Sequence, residues 1–108
     1  DYLTSRLCDS GLGLPYVAPG VKSAWYRYAI RCPDSQRRDR IVGALAQNGI
    51  WARAGYVRPI HRQPIYGKQP HLPVVERVER EMLLLAPFGP GVERADLDDV
   101  ANIVAETK

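Results

Sequence analysis

From residue 54 to residue 72 the chain shows neither the two-residue alternation of a strand nor the helical recurrence of apolar positions, and it carries Pro59, Pro64, Pro70, Gly55 and Gly67. A run of about 19 residues without periodicity exceeds ordinary connections in compact domains, where such long loops tend to be functional. Regular elements must therefore form on either side of it. Pro59 and Pro64 flank His61 and fix the backbone φ near it, so the loop presents its side chains at low entropic cost. Charge singles out the same region. No Asp or Glu occurs from Arg40 to Val75, a stretch that holds Arg40, Arg53, Arg58, Arg62 and Lys68, whereas eight of the twelve acids follow from Glu76 onward. A basic middle beside an acidic tail suits an anionic ligand held by the middle. A merely solvated basic loop would show the same distribution.

The 108 residues suit one domain with a core of only marginal stability. An apolar fraction of 45% is ordinary for a globular chain and argues against disorder. No apolar run approaches the ~20 residues of a membrane span, and no signal peptide is visible. The chain opens on Asp1 rather than Met, as a fragment or a processed product would. Cys8 and Cys32 lie far apart, with neither a second cysteine nor a histidine at ligand spacing. Structural zinc takes about four ligands, so no metal is expected, and two reduced thiols in a cytoplasmic protein are the plain reading.

Residues 1–7 read as the end of a helix, with Tyr2, Leu3, Arg6 and Leu7 on one face and Gly11 and Gly13 ending it. Residues 24–32 form the clearest strand: Tyr26, Tyr28 and Ile30 share a face at period two, and Arg27 and Arg31 take the other. Asp34 or Ser35 can cap the next helix, whose apolar stripe is Ile41, Val42, Ala44 and Leu45, and Asn48-Gly49 closes it. Ile50 begins a weaker extended segment. Pro73 fits the first position of a third helix, with Val74, Val75, Val78 and Met82 inward and Glu76, Arg77, Glu79 and Arg80 in water. Residues 83–85 make a short strand, 86–91 a turn and 93–106 a final helix with Leu97, Val100, Ile103 and Val104 inward. The order predicts an α/β (α+β two-layer) fold, a small mixed or antiparallel sheet covered by helices.

The candidate working face is Gly49 to Tyr66. Arg58, His61, Arg62, Gln63 and Tyr66 can each hydrogen-bond a phosphate, a sugar hydroxyl or a carboxylate, and His61 can also move a proton. A lone histidine is, by composition alone, more often a satisfied structural residue.

Five blocks in order resemble one family. Trp25-Tyr26-x-Tyr28-Ala29-Ile30 is similar to a strand entering its small domain, and Arg40 to Leu45 followed by Gly49-Ile50 to its helix and "GI". Tyr56-x-x-Pro59-Ile60-His61-x-Gln63-Pro64-x-Tyr66 resembles its "Y-x-x-P-L-H-x-Q-P-x-Y", and Leu72-Pro73-Val74-Val75-Glu76-Arg77 its "LP-x-A-E-R". The family is that of the DegT/DnrJ/EryC1/StrS aminotransferases, enzymes of fold type I that depend on pyridoxal 5'-phosphate (PLP). The chain departs from the pattern where Leu83-Leu84-Leu85-Ala86-Pro87 moves a proline along by one, and where Gly55 replaces an aromatic residue or His. Arg53 resembles an arginine of members whose loop is one residue shorter.

The resemblance implies a single C-terminal small domain. Residues 1–20 would be the end of an interdomain helix plus a loop, residues 21–108 the sheet and helices, and the large PLP-binding domain would be absent. It implies a substrate-binding role for His61, Tyr56, Arg58, Gln63, Tyr66 and Arg53, with no catalytic residue in this chain. The partners would be a keto-sugar or nucleotide-sugar substrate, or an aminocyclitol precursor, with an amino donor, in a cytoplasmic homodimer without membrane or nucleic acid. The lysine that carries the cofactor belongs to the large domain, and Lys22, Lys68 and Lys108 stand in no matching context. The alternative is a standalone α/β domain binding an anionic partner such as nucleic acid. Against it, the basic loop lacks the interleaved exposed aromatics of RNA-binding modules.

Overall fold

The computed structural model describes residues 2–55, 58–85 and 89–108. Helix α1 (Tyr2–Leu7) is followed by strand β1 (Tyr28–Arg31), helix α2 (Ser35–Gln47) and strand β2 (Ala52–Ala54). Two 3-10 turns, Ile60–Arg62 and Pro64–Tyr66, precede helix α3 (Pro73–Glu81), strand β3 (Met82–Leu85) and helix α4 (Arg94–Glu106). The sheet has the order β1-β3-β2 and both pairings are antiparallel, with Tyr28 opposite Leu85 and Ala52 opposite Leu85 on the other side. The last strand in sequence is thus the central one, which is why Leu83, Leu84 and Leu85 are all buried.

Local chemistry explains the elements. Asp34 caps α2 by accepting the Arg37 N–H at 2.7 Å, which satisfies one of the free donors of the first turn. At the other end the Gly49 N–H bonds Ala46 O and the Ile50 N–H bonds Leu45 O, a Schellman closure that needs the left-handed φ of +71° found at Gly49. Helix α4 starts with a capping box between Glu93 and Asp96. Gly13 bridges Arg31 as an extra edge to β1, and a Cβ there would stand 3.1 Å from the Arg31 Cβ.

One core results. Tyr28, Ile30, Leu83 and Leu85 from the sheet meet Leu3 and Leu7 of α1, Ile41 and Leu45 of α2, and Val100, Ala101 and Val104 of α4. Helices cover this face of the sheet, giving the two-layer arrangement expected. The Tyr28 phenol is pushed up in pKa by burial, against the hydrogen bond it shares with Thr4. Burial likewise raises the Cys32 thiol, against Arg37 and Arg38, while Cys8 lies on the surface.

Three expectations change. The strand is shorter than residues 24–32, because Trp25 takes a positive φ of 48° and breaks the extended run. Tyr26 consequently lies on the surface, where the Arg27 guanidinium sits over its ring and that of Trp51. The buried face of α3 is also reassigned. Val74 and Val75 are exposed, Val78 is half-buried, and Glu76 is buried at 9%. Met82 opens β3 instead of closing the helix. The turn expected over 86–91 lies partly outside the described residues; within them Val92 N–H closes on Gly89 O.

Candidate functional site

From residue 58 onward, the loop read as the working face is ordered by its own prolines. Pro59 is buried at the start of the first 3-10 turn, and Pro64 opens the second. The Gln63 side chain donates to Arg58 O at 2.9 Å, closing the first turn on itself, and Gln69 donates to Tyr66 O at 2.7 Å. His61 and Arg62 are adjacent on that turn and both reach α3.

What they reach is Glu76. One of its oxygens, Oε1, lies 3.4 Å from His61 Nε2, 3.3 Å from His71 Nδ1 and 3.4 Å from Arg62 Nη2. Arg62 forks, its Nη1 donating to Glu79 Oε2 at 3.0 Å. Only 11% of the His61 and Glu76 side chains is exposed, against 91% for His71. Burial by itself would raise the Glu76 carboxyl. Hydrogen bonds from His61 and His71, with the positive charge of His71 and Arg62, outweigh it and hold the group below its ordinary value. Glu76 is therefore an ionised, acceptor-only carboxylate. An open cavity of about 460 Å³ adjoins the cluster, lined among others by Arg58, His61, Arg62, Lys68, His71 and Glu76. Its cations and its ring nitrogens suit an anionic or hydroxyl-bearing ligand.

Of the residues singled out from sequence, the structure brings Arg58, His61 and Arg62 to this cavity, and Gln63 supports it through Arg58 O. Tyr66 is exposed on the second turn. Arg53 lies on β2, opposite Leu84, away from the cavity. Tyr56 lies outside the described residues. Sequence reasoning missed Glu76, Glu79 and His71, and it had Lys68 only as a charge of the basic middle. One signal pointed to the acids: Glu76 and Glu79 are the first after the long acid-free stretch and recur at helical spacing, where they can meet the cations of the loop.

A second cavity, about 580 Å³, lies between the C-terminal end of α2 and α4, with Asn48, Ile50, Asp96, Asp99, Asn102 and Ile103 on its walls. It gathers no His or Cys among the described residues, and its carboxylates, Asp96 and Asp99, have no cation on the same wall. Among the described residues no group of side chains could hold a metal ion, and no helix is long and apolar enough to cross a membrane.

A pyridoxal cofactor needs a lysine positioned in a shielded pocket and an acid for its ring nitrogen. Lys22, Lys68 and Lys108 are all exposed. The residues described here do not fit that group.

Known proteins resemble this chain over nearly all of its length. The model of the DegT/DnrJ/EryC1/StrS aminotransferase family matches residues 1–105. A dTDP-3-amino-3,4,6-trideoxy-alpha-D-glucose transaminase of Streptomyces venezuelae is 34% identical over 110 aligned residues, covering 98% of this chain and 28% of that protein. Among solved structures, the aminotransferase TlmJ from Streptoalloteichus hindustanus superposes with a TM-score of 0.80 at 28% identity, over 95% of this chain and 28% of that one. DesV of S. venezuelae, solved with a ketimine intermediate, gives 0.79 at 33% identity, over 96% and 28%. The chain thus spans little more than a quarter of the length of these relatives.

Proposed function

The chain belongs to the DegT/DnrJ/EryC1/StrS aminotransferase family, and from that premise we propose that it serves as the C-terminal small domain of a PLP-dependent aminotransferase acting on a nucleotide-linked keto-sugar or an aminocyclitol precursor. In this reading residues 1–20 carry the end of an interdomain helix and its loop, and residues 21–108 form the domain proper. The cofactor supplies the amino-transfer chemistry, and a cofactor-bearing domain outside these residues holds it. This chain contributes the 58–66 loop on the substrate side. The whole enzyme works as a cytoplasmic homodimer.

One observation carries the loop's role: Arg58, His61, Arg62 and Lys68 converge on a single open cavity. Arg62 is already neutralised by Glu76 and Glu79. That leaves Arg58 and Lys68 as the charges able to meet a phosphate or carboxylate, and His61 as the group able to meet a hydroxyl. Gln63 and Tyr66 support the loop or contact substrate beside it, Tyr56 contributes to substrate binding, and Arg53 has the weakest claim because it stands apart. The same pairing of Arg62 weakens the reading as a nucleic-acid module, since it removes a cation from a surface that would need several.

The test is His61→Ala in the full-length protein. It should lower kcat/KM for the keto-sugar by about tenfold or more, as expected for a lost hydrogen bond to substrate, and impair turnover more than folding. Undiminished turnover would remove His61 from the site.

A further inference from the structure

Glu76 reads in the sequence as one more solvated helix charge, yet it is buried, and two rings and a guanidinium turn toward one of its oxygens. A loop clamp alone would not require this. Arg62 already ties the loop to α3 through Glu79 at 3.0 Å. What Glu76 adds is a directional acceptor for the His61 ring.

We infer that Glu76 is a positioning residue that fixes His61 as the Nε2–H tautomer and so leaves Nδ1 as its lone-pair nitrogen. An ionised carboxylate offers no proton, so the ring nitrogen facing it must carry one. The neighbouring Arg62 guanidinium keeps Glu76 in that form, as does His71 from the loop before α3. In the neutral ring only one nitrogen bears hydrogen, and the hydrogen bond made by one sets the state of the other. His61 then meets its ligand as an acceptor. The ligand it fits presents a donor, a sugar hydroxyl or an amine, and not a bare carbonyl or phosphate oxygen at that point. Arg58 and Lys68, on the same cavity, are left to receive the anionic part. This deepens the substrate-side reading of the loop and rests on it for the identity of the ligand, though not for the tautomer.

The experiment uses the full-length protein with ¹⁵N-labelled histidine, in which long-range ¹H–¹⁵N spectra read which ring nitrogen is protonated. Wild type should show His61 as Nε2–H. Glu76→Met, which keeps volume and removes the acceptor, should lose that pattern, and Glu76→Gln, whose amide oxygen still accepts, should keep it. In turnover of the keto-sugar, Glu76→Met should lower kcat/KM by about tenfold, the size expected within one hydrogen-bond network. Glu76→Gln should restore most of the loss, and in a His61→Ala background Glu76→Met should change kcat/KM less than about twofold. A wild-type Nδ1–H ring, a tautomer indifferent to Glu76→Met, or an undiminished effect in the His61→Ala background would each overturn the inference. Should Glu76→Met fail to fold, a wild-type ring protonated at Nδ1 still overturns the inference. If His61→Ala leaves turnover intact while the spectra behave as expected, the substrate-side reading fails and the positioning of the ring stands.

Discussion

At the scale of single residues, Glu76 holds the loop to α3 by meeting His61, His71 and Arg62 at one oxygen. His61 stood out because prolines bracket it, and the structure does put it on a braced turn beside Arg58. Glu76 did not stand out, because a helical acid flanked by Arg77 and Glu79 has the pattern of a solvent face. Only the return of the loop across α3 makes it interior. That burial has a consequence with pH. The Glu76 carboxyl is held below its ordinary value of 4.5, so its contribution to stability is fully present above that value and is lost as pH falls through the lower, folded one. The groups facing it are His61 and Arg62 from the 3-10 turn and His71 from the loop, and Arg62 is shared with Glu79 of α3. Hydrogen exchange of the 58–72 segment, corrected for its intrinsic pH dependence, should lose protection as pH drops below about 4.5, before the α2 segment does. Glu76→Gln should remove that step. Equal loss of protection in both segments would mean that Glu76 does not govern the loop.

At the scale of elements, what could be read was what chemistry fixes locally. The α2 boundaries follow from Asp34 and from Asn48-Gly49, and the structure uses both. The extent of β1 and the face of α3 depend on what packs against them, which no local pattern carries. Trp25 turns the chain with a positive φ that its side chain disfavours. Val74 and Val75 keep helical spacing with no described partner layer beneath them, and α3 instead leans on α2, where Arg38 donates to Glu79 O and Arg80 O. The α2 closure allows a clean test. Nothing lies within 4 Å of a Cβ added at Gly49, so Gly49→Ala meets no clash and incurs only the left-handed backbone penalty. A loss of about 1 kcal/mol in unfolding free energy is expected, read from denaturant midpoints at unchanged slope. No loss, or a loss several times larger, would show that the closure is not held as described.

At the scale of the whole molecule, α2 gathers the ends of the chain. Arg37, only 9% exposed, donates to Ser10 O at 3.0 Å and to Thr107 O at 3.2 Å. It thereby joins the segment after α1 to the segment after α4. Arg40, exposed on the same helix, reaches Lys108 O at 2.8 Å. Elsewhere Arg6 pairs with Asp98 at 3.1 Å and donates to Asn102, tying α1 to α4 directly. The same two helices also meet in the core through Leu3, Leu7, Val100 and Val104. Burial decides which of these ties matters. An exposed arginine exchanges a carbonyl for water at little cost, whereas removing Arg37 strips two carbonyls of a charged donor where water enters poorly. Arg37→Met, which keeps the apolar stem, should therefore cost about 2 kcal/mol, and Arg40→Met less than about 0.5 kcal/mol. Chemical denaturation of the full-length protein and its two variants compares them under one condition. The ranking carries the argument: if Arg40→Met costs as much as Arg37→Met, the buried carbonyls are not what joins the two ends, and the packing of α1 on α4 must do so alone.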